Sequence, residues 1–474
     1  MDQITFYLNG TKESVPSHLS HLTLSDYLRY ERNLTGTKVV CAEGDCGACS
    51  VLKINTQTPG PLTAVNSCIH PLVNCHGNHI VTVEALAQKE KLHPSQKAMI
   101  DCHGSQCGFC TPGFVVALAG LCEKKKVEGE KLIKAAEVKN ALTGNLCRCT
   151  GYESIIEAGV EMDPLAQASL TERYHTPEVQ ADLNKITARP MEINSSKFSF
   201  YAPKKLEDAQ KYLAQNSDCQ IVAGATDLGV VYNKRFDRPK KLLSLHLISE
   251  CYRLEQKQGR VFVGAQVTLS ALRNFLKKDF PEYSHYLDVF ASPLIKNNST
   301  LIGNIQTASP IGDNAPVMLT TDALVHLYNG TQAREVALKD YFKSYRVTEK
   351  RPEELITGIS FQIPSNKYYK IEKVCVRKDM DISIVNMAVA IENQNGTISS
   401  IEIALGGVAA TPIRLKKTEA FLKNKKIDDS VLENALKMAQ TEFTPLSDHR
   451  ASAGYRRTLV HNLLKHHLDT GAAV

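Results

Sequence analysis

Cysteine spacing constrains this chain more than any other feature of its sequence. Of its 14 cysteines, eight fall into two groups within the first third of the chain. The first group has the spacing C-x4-C-x2-C with one more cysteine farther on, and it comprises Cys41, Cys46, Cys49 and Cys68. This is a ligand spacing of [2Fe–2S] centres, in which thiolates hold two irons. The alternatives are a zinc knuckle or buried free thiols, although zinc sites usually pair C-x2-C with a second such pair or with histidines.

The loop between these cysteines suits a thiolate cluster in its composition. It reads Cys41-Ala-Glu-Gly-Asp-Cys46-Gly-Ala-Cys49. A cluster held by thiolates is negatively charged and requires N–H donors around its sulfurs. Gly44, Gly47 and Ala48 allow the chain to wrap closely and to point its backbone N–H groups inward.

The second group combines C-x2-C with C-x-C, and it comprises Cys107, Cys110, Cys147 and Cys149. By spacing alone, this set could hold a zinc ion instead of a [2Fe–2S] cluster. Thr111 is predicted to cap a helix that begins at Pro112, and a further helix is predicted over Glu153–Glu161. Helix N-termini beside cysteines would favour the negative charge of a cluster.

Charge and hydropathy exclude several other classes of protein. The formal net charge of +6 is small for 474 residues, and no basic stripe indicates a nucleic-acid partner. No apolar run of about 18 residues predicts a membrane span, so no membrane association is expected. The N-terminal residues lack the pattern of a signal peptide, and a cytoplasmic location is therefore expected. In such a chain, clustered cysteines indicate metal or redox chemistry rather than disulfides.

Two later segments are candidates for binding a diphosphate. The sequence has neither G-x-G-x-x-G nor a Walker loop, so a Rossmann site is not supported. Ile221–Gly229 instead reads as a strand, a turn of small residues and a helix, and such a turn exposes backbone N–H groups. Alone, this segment is a weak signal, and a plain structural turn explains it better. The second segment is Thr300-Leu-Ile-Gly-Asn304-Ile-Gln-Thr-Ala-Ser-Pro-Ile-Gly-Asp313.

The sequences around the cysteines resemble the molybdenum hydroxylase family over residues 1–160. The resemblance lies in the first cysteine loop and in two flanking motifs, Gly104-Ser-Gln-Cys107-Gly-Phe-Cys110-Thr-Pro-Gly113 and Gly144-Asn-Leu-Cys147-Arg-Cys149-Thr-Gly-Tyr152. It implies two [2Fe–2S] clusters, one held by each cysteine group. It also implies that the first cluster lies in a β-grasp domain and the second in a helical bundle.

The resemblance extends to FAD domains of the vanillyl-alcohol-oxidase type. It implies that Ile221–Gly229 and Thr300–Asn304 surround the pyrophosphate and adenosine, that Asp313 faces a ribose or ring polar group, and that Phe290 lies against the isoalloxazine. The implied FAD contacts are Ile221, Val222, Ala223, Gly224, Ala225, Thr226, Asp227, Leu228, Gly229, Phe290, Thr300, Leu301, Ile302, Gly303, Asn304, Asp313, Ile359 and Lys373. Ile359 and Lys373 match the family more loosely, and Phe290 fits a core position equally. Asp227 stands where animal enzymes carry Glu, which keeps the charge.

The expected fold is multidomain α+β. Its expected parts are a β-grasp plant-type ferredoxin domain over 1–88, a helical-bundle [2Fe–2S]-binding domain over 89–162, a surface linker over 163–192, an α+β FAD-binding domain of vanillyl-alcohol-oxidase type over 193–366, and an α+β C-terminal flavoprotein domain over 367–474.

The resemblance also implies a function in electron transfer. Near the end, Ser447-Asp-His-Arg-Ala-Ser-Ala-Gly-Tyr-Arg-Arg457 resembles the tail of bacterial xanthine dehydrogenase small subunits. The implied activity is that of a NAD-dependent xanthine dehydrogenase, which converts hypoxanthine and xanthine to urate. Electrons would pass from a molybdenum site through the second and then the first cysteine group to FAD and on to NAD+.

The same resemblance implies a division of labour between subunits. The molybdopterin would lie on a separate large subunit, in a heterotetramer of two small and two large chains. No catalytic residue is therefore expected on this chain. The alternatives are the redox subunit of another molybdenum hydroxylase, for aldehydes or N-heterocycles, and a stand-alone electron-transfer protein.

Overall fold

The chain forms two compact units in a computed structural model. The structure describes residues 3–58, 60–195, 198–236, 238–365 and 367–472. The first unit comprises residues 1–252 and 291–299, and the second comprises 253–290 and 300–474. Each unit contains parts of more than one expected domain, so the expected domain boundaries stay predictions. Among the described residues, no helix is long and apolar enough to cross a bilayer.

The first unit begins with a mixed five-stranded sheet. Its strands are β1 (Ile4–Leu8), β2 (Thr11–Val15), β3 (Ser50–Asn55), β4 (Thr63–Asn66) and β5 (Asn78–Val81), in the order β2-β1-β5-β3-β4. Asn9 and Gly10 form the turn from β1 to β2 with φ of 53° and 85°, as the Asn-Gly pair predicts. A helix over Leu24–Asp26 continues as a π-helical turn over Tyr27–Glu31, and its buried Leu24 and Tyr27 pack in the same core as the sheet. This is the predicted β-grasp arrangement.

A helical bundle follows the sheet. Its helices are Pro94–Asp101, Thr111–Glu128, Ala135–Ala141 and Glu153–Glu161. Phe114, Leu118, Val138 and Ile155 are buried in its core. The amphipathic pattern over Glu130–Leu142 is typical of one helix, but the helix begins only at Ala135. Gly129 ends the preceding helix in the left-handed region, and the Lys134 N–H donates to Glu137 at 2.9 Å, which marks the later start.

Residues 163–192, which were predicted as a surface linker, are largely helical. They form a short 3₁₀ helix and two α-helices, which span Pro164–Ala166, Leu170–Tyr174 and Pro177–Ile186. Each helix has a polar N-cap, and the caps are Asp163, Ser169 and Thr176. Leu170 and Leu183 are fully buried. The weak hydrophobic periodicity concealed these helices because each buries only one or two large side chains.

One buried carboxylate attaches this segment to the bundle. Glu123 is 1% exposed and accepts four hydrogen bonds. The donors are Ser169 Oγ at 2.5 Å, Leu170 N at 2.9 Å, Thr171 N at 2.9 Å and Thr171 Oγ1 at 2.7 Å. The carboxylate thus satisfies the free N–H groups at the start of the helix Leu170–Tyr174.

Replacing Glu123 by Ala should loosen this helix selectively. We expect the amides of Leu170 and Thr171 to exchange with deuterium roughly 100-fold faster, because a hydrogen bond to a charged group contributes about 1.5–3 kcal/mol. Hydrogen exchange read by mass spectrometry measures the effect. Glu128→Ala on the same helix, at a 37% exposed side chain, is the control and should leave both amides protected. Equal protection of the two amides in both variants would show that Glu123 does not hold this helix in place.

A second sheet completes the first unit. Its strands are β6 (Met191–Asn194), β7 (Ser199–Ala202), β8 (Gln220–Val222) and β9 (Lys241–Ser244), in the order β6-β7-β9-β8. β9 runs parallel to both β7 and β8. The other helices of this part are Leu206–Gln215, Leu228–Arg235 and Pro293–Lys296.

The described residues of the second unit form three antiparallel sheets. Their strands are β10 (Leu254–Lys257), β11 (Arg260–Gly264), β12 (Leu324–Tyr328), β13 (Ala333–Ala337), β14 (Phe342–Ser344), β15 (Val347–Thr348), β16 (Leu355–Gln362), β17 (Tyr368–Val374), β18 (Val385–Gln394), β19 (Thr397–Gly406) and β20 (Ile413–Arg414). The sheet orders are β10-β11-β16-β12-β13, β14-β15 and β17-β18-β19-β20. The helices are Leu269–Leu276, Pro281–Phe290, Leu301–Gln306, Asn314–Leu319, Leu338–Tyr341, Lys416–Leu422, Asp429–Ala439 and Ala453–Ala472.

Candidate metal and cofactor sites

The structure brings the four cysteines of the first group together. The Cys41 thiol interacts with the thiols of Cys46 and Cys68, and the Cys49 thiol interacts with that of Cys68. Proton sharing with Cys46 and Cys68 lowers the pKa of Cys41. Contact with the Cys68 thiol likewise lowers the pKa of Cys49 to about 7. The same contacts raise the pKa of Cys46 and of Cys68, so protons are shared among the four closely spaced thiols.

The loop around these thiols turns its backbone toward the sulfurs. Ala42, Gly44 and Gly47 all lie in the left-handed region, with φ of 55°, 85° and 65°. The Glu43 N–H points at Cys41 Sγ from 3.5 Å, and the Ala48 N–H interacts with the Cys46 thiol. The tight wrapping predicted from the small residues is therefore present, and it supplies donors to the sulfurs.

The second group is also assembled, in two thiol pairs. Cys107 pairs with Cys149, and Cys110 pairs with Cys147. The helix Thr111–Glu128 begins directly after Cys110, so its positive end faces the thiols. Thr111 was predicted to cap this helix, but the N-cap is Cys110, and the Thr111 hydroxyl bonds instead to Ser105 Oγ at 2.8 Å.

Cys147 accepts several hydrogen bonds within this second group. Its Sγ accepts from the Cys149 N–H at 3.4 Å and from the Thr150 N–H and hydroxyl at 3.5 and 3.2 Å. Burial opposes ionisation of this thiol, but the donors outweigh burial and lower the pKa of Cys147 to about 7. Cys107 and Cys149, in contrast, are exposed.

The thiol contacts of the second cysteine group are compatible with a binuclear centre. In a tetrahedral zinc site with four thiolate ligands, all sulfurs lie roughly 3.8 Å apart. Among the described residues, the only three ligand atoms that converge within 4.8 Å belong to Glu128, Glu130 and Glu137. The Lys125 ammonium already occupies that cluster, at 2.5 Å from both Glu130 and Glu137. In the second group, the pairs Cys107–Cys149 and Cys110–Cys147 suit two irons with two sulfurs each. In the first group, Cys41 contacts both Cys46 and Cys68, so its thiols do not separate into two pairs.

Hydrogen bonds and close packing connect the loops that carry the two cysteine groups. The Leu146 N–H, next to Cys147, donates to the Cys46 carbonyl at 3.0 Å. Asn145 Nδ2 donates to the Gly47 carbonyl at 3.2 Å. A Cβ on Gly113 would come within 2.3 Å of that same carbonyl, so only glycine fits there. Main-chain packing therefore fixes the separation of the two groups.

Thr150 offers a test of the second group. Replacing it by Val removes the hydroxyl donor to Cys147 Sγ, which should destabilise the reduced, more negative cluster. We expect the one-electron reduction potential to fall by roughly 40 mV, the equivalent of about 1 kcal/mol. An electron paramagnetic resonance titration of the cluster-loaded chain measures the potential. Thr150→Ser, which keeps the donor, should retain it, and an unchanged potential in T150V would contradict the role of Thr150.

The first candidate diphosphate segment lies in the first unit. Strand β8 leads into a turn and then into the helix Leu228–Arg235. No acceptor among the described residues takes the backbone N–H groups of residues 224–228, while the Gly229 N–H donates to the Ala225 carbonyl at 2.7 Å. Most of the turn is partly exposed. A row of free N–H groups at a helix N-terminus fits a diphosphate.

The segment Ile221–Gly229 and the helix that follows it lie in direct contact with the loops of the first cysteine group. A Cβ on Gly229 would meet the Ile69 carbonyl at 2.2 Å, so the helix approaches the chain beside Cys68 as closely as backbones allow. Asn233 Nδ2 donates to the carbonyls of Ala42 and Cys68 at 2.9 and 2.8 Å. Sequence reasoning missed Asn233 because no local pattern around it marks a contact this distant along the chain.

The second segment lies in the second unit. Thr300 Oγ1 caps the helix Leu301–Gln306 through the Gly303 N–H at 3.0 Å. Asn304 Oδ1 accepts from Asn314 Nδ2 at 2.9 Å. Gly303 and Asn304 are partly exposed, while Leu301 and Ile302 are buried. Ile359 is fully buried in strand β16, between Val263 and Val325 of neighbouring strands, so its side chain belongs to the core.

Three predicted residues, distant in sequence, meet in the second unit. Lys373 Nζ contacts Asp313 Oδ2 at 2.8 Å and donates to the Phe290 carbonyl at 3.1 Å, with its ammonium 6.0 Å from the Phe290 ring centre. The Asp313–Lys373 pair is almost fully buried. Asp313 Oδ1 accepts from Ser383 Oγ at 2.5 Å and from Asn386 Nδ2 at 3.0 Å. Both oxygens of Asp313, which was predicted to face a ribose or ring polar group, accept hydrogen bonds from protein donors.

Three parts of the chain match known protein families. Residues 82–159 match a [2Fe-2S] binding domain, 196–365 match the FAD binding domain in molybdopterin dehydrogenase, and 367–470 match the CO dehydrogenase flavoprotein C-terminal domain. The chain therefore contains both [2Fe–2S]-binding and FAD-binding domains.

Among curated proteins, the chain is similar to xanthine dehydrogenases. It is 31% identical to the enzyme of Oryza sativa subsp. japonica, over 92% of this chain and 37% of that protein. It is 29% identical to that of Emericella nidulans, over 93% of this chain and 36% of that protein. The chain thus spans under two fifths of the length of these relatives.

Two solved structures share part of the fold of this chain. A reconstituted CO dehydrogenase from Oligotropha carboxidovorans aligns with a TM-score of 0.55 and 27% identity, over 59% of this chain and 99% of that one. Quinoline 2-oxidoreductase from Pseudomonas putida 86 aligns with a TM-score of 0.54 and 26% identity, over 58% of this chain and 97% of that one.

Proposed function

We propose that this chain, which belongs to the molybdenum hydroxylase family, is the electron-transfer subunit of a NAD-dependent xanthine dehydrogenase. In that role it would carry the iron–sulfur clusters and the FAD of the enzyme. Its two cysteine groups would each hold a [2Fe–2S] cluster, and its FAD-binding domain, residues 196–365, would hold FAD. When bound, these groups would carry single electrons and, at the flavin, combine them into the pair that NAD+ accepts.

The observation that carries the proposal is the direct linkage of the three candidate sites in the first unit. Leu146 joins the second cysteine group to the first at 3.0 Å, and Asn233 joins the first group to the helix of the diphosphate segment at 2.8 and 2.9 Å. A scaffold protein has no need for such linkage. An electron relay requires it, because transfer weakens steeply with distance.

Exposure of the second cysteine group supports a partner subunit. Cys107 and Cys149 are exposed, and the apolar side chains of Phe109 and Leu146 beside them are 50% and 37% exposed. Exposed cluster ligands are vulnerable to water and oxidants, and an apolar rim is typical of a docking surface. We therefore assign this face to a molybdopterin-binding subunit, in a heterotetramer of two small and two large chains.

Chain organisation supports the assignment to xanthine dehydrogenase. The xanthine dehydrogenase relatives align with 92–93% of this chain. The CO dehydrogenase and quinoline oxidoreductase chains align with only 58–59% of this chain, over 97–99% of their own length. Cluster and flavin domains thus share one chain here, as in xanthine dehydrogenase. Oxidation of an N-heterocycle is the second candidate, since quinoline 2-oxidoreductase shares the flavin fold.

The proposed acceptor and partner can be tested with the isolated chain. Loaded with both clusters and FAD and kept free of oxygen, the chain should be bleached by NADH, because hydride enters at the flavin without the partner. Xanthine should bleach nothing until a molybdopterin subunit is added. Bleaching by dithionite but not by NADH would overturn the assignment of NAD+, and bleaching by xanthine alone would overturn the separate partner.

The proposed docking face can be tested by charge. Phe109→Asp should weaken binding of the molybdopterin subunit roughly 100-fold, because a carboxylate would be buried unpaired in an apolar contact. Calorimetric titration of the two subunits measures the affinity. Leu132→Asp, at an 82% exposed side chain near the same bundle, is the control and should bind normally. Equal affinities of the two variants would place the partner elsewhere.

A further inference from the structure

The tail segment Ser447–Arg457 has no role in the sites described so far, yet it is anchored deep in the second unit. Asp448 Oδ1 accepts from the N–H groups of Arg450 and Ala451 at 2.9 and 3.1 Å. The same oxygen accepts from Arg456 Nη2 at 2.9 Å. Arg456 is only 3% exposed, so the tail directs one charged side chain into the protein interior.

Inside the unit, Arg456 clamps two backbone segments together. Its Nη1 donates to the Gly407 carbonyl at 2.9 Å and also to the Ile384 carbonyl. Gly407 has φ of 81°, and a Cβ there would lie 2.4 Å from the Ile384 carbonyl. Gly407 also donates its N–H to the Pro310 carbonyl, at 2.8 Å, within the second diphosphate segment.

The clamped segment is the one that holds Asp313. Ser383 and Asn386 flank Ile384, and both donate to Asp313 Oδ1, at 2.5 and 3.0 Å. Asp313 in turn binds Lys373 at 2.8 Å. Two hydrogen-bonded contacts therefore link Arg456 to Asp313. The first joins Arg456 to the Ile384 carbonyl, and the second joins Ser383 and Asn386 to Asp313 Oδ1.

We infer that Arg456 is a positioning residue for the flavin site, acting through Ser383 and Asn386 on Asp313 and Lys373. The inference deepens the proposed function and rests on it. The Asp313 carboxylate compensates the Lys373 ammonium beside Phe290. If the clamp is lost, Asp313 is held less firmly, the Lys373 charge is less compensated, and both the affinity for FAD and its reduction potential change.

The chain offers a matched control on the same helix. Arg457 donates to the carbonyls of Gln440 and Phe443 at 2.9 and 3.3 Å, away from the Asp313 contacts. Arg456→Met should weaken FAD binding roughly tenfold, the scale of one lost hydrogen bond to a charged group, and raise the flavin reduction potential. Arg457→Met should change neither property, and Arg456→Lys should restore part of the affinity.

The experiment titrates FAD into the full chain freed of flavin, with visible cluster absorption as the check on folding. Ser383→Ala, which leaves the tail intact, should reproduce the R456M effects and covers the case in which R456M does not fold. Equal FAD affinity and potential in R456M and R457M, or wild-type values in S383A, would overturn the inference. Failure of the wild-type chain to bind FAD would instead overturn the proposed function.

Discussion

Close backbone packing around Gly47 is the constraint on which the two cysteine groups depend. Gly47 lies between Cys46 and Cys49, and a Cβ on it would lie 2.3 Å from the Gly144 carbonyl. Beside it the Leu146 N–H bonds to the Cys46 carbonyl at 3.0 Å. A side chain at this point would push the ligand loops apart. The separation of the two cysteine groups is thus set by main-chain contacts.

A buried ion pair, rather than backbone packing, organises the second unit. There the buried Asp313–Lys373 pair gathers elements that are far apart in sequence, and every oxygen of the Asp313 carboxylate has a protein donor. Removing one partner of such a pair leaves an uncompensated buried charge, which costs about 3–5 kcal/mol. The pair and its supports therefore fix the position of Lys373 at the end of the helix that carries Phe290. Rigid placement of this kind suits a site that must hold a cofactor in one orientation.

Local patterns predicted more of the fold than of the contacts between its parts. Cysteine spacing and flanking motifs identified all eight candidate ligands, and the small residues of the first loop correctly predicted its inward-pointing N–H groups. The helices of residues 163–192 escaped prediction because the one at Leu170 is held by Glu123, a partner 46 to 48 residues away. Asn233 and Arg456 escaped for the same reason. The carbonyls that Asn233 contacts lie 165 or more residues away, and those of Gly407 and Ile384 lie 49 and 72 residues from Arg456, distances on which no local pattern reports.

We propose that this chain holds two [2Fe–2S] clusters and one FAD. The most direct test combines a visible absorption spectrum of the pure chain with assays of iron, zinc and released flavin. We expect about four irons and one FAD per chain, with bands that dithionite bleaches. Zinc in place of iron, with no flavin and no visible bands in protein made where clusters are supplied, would contradict it.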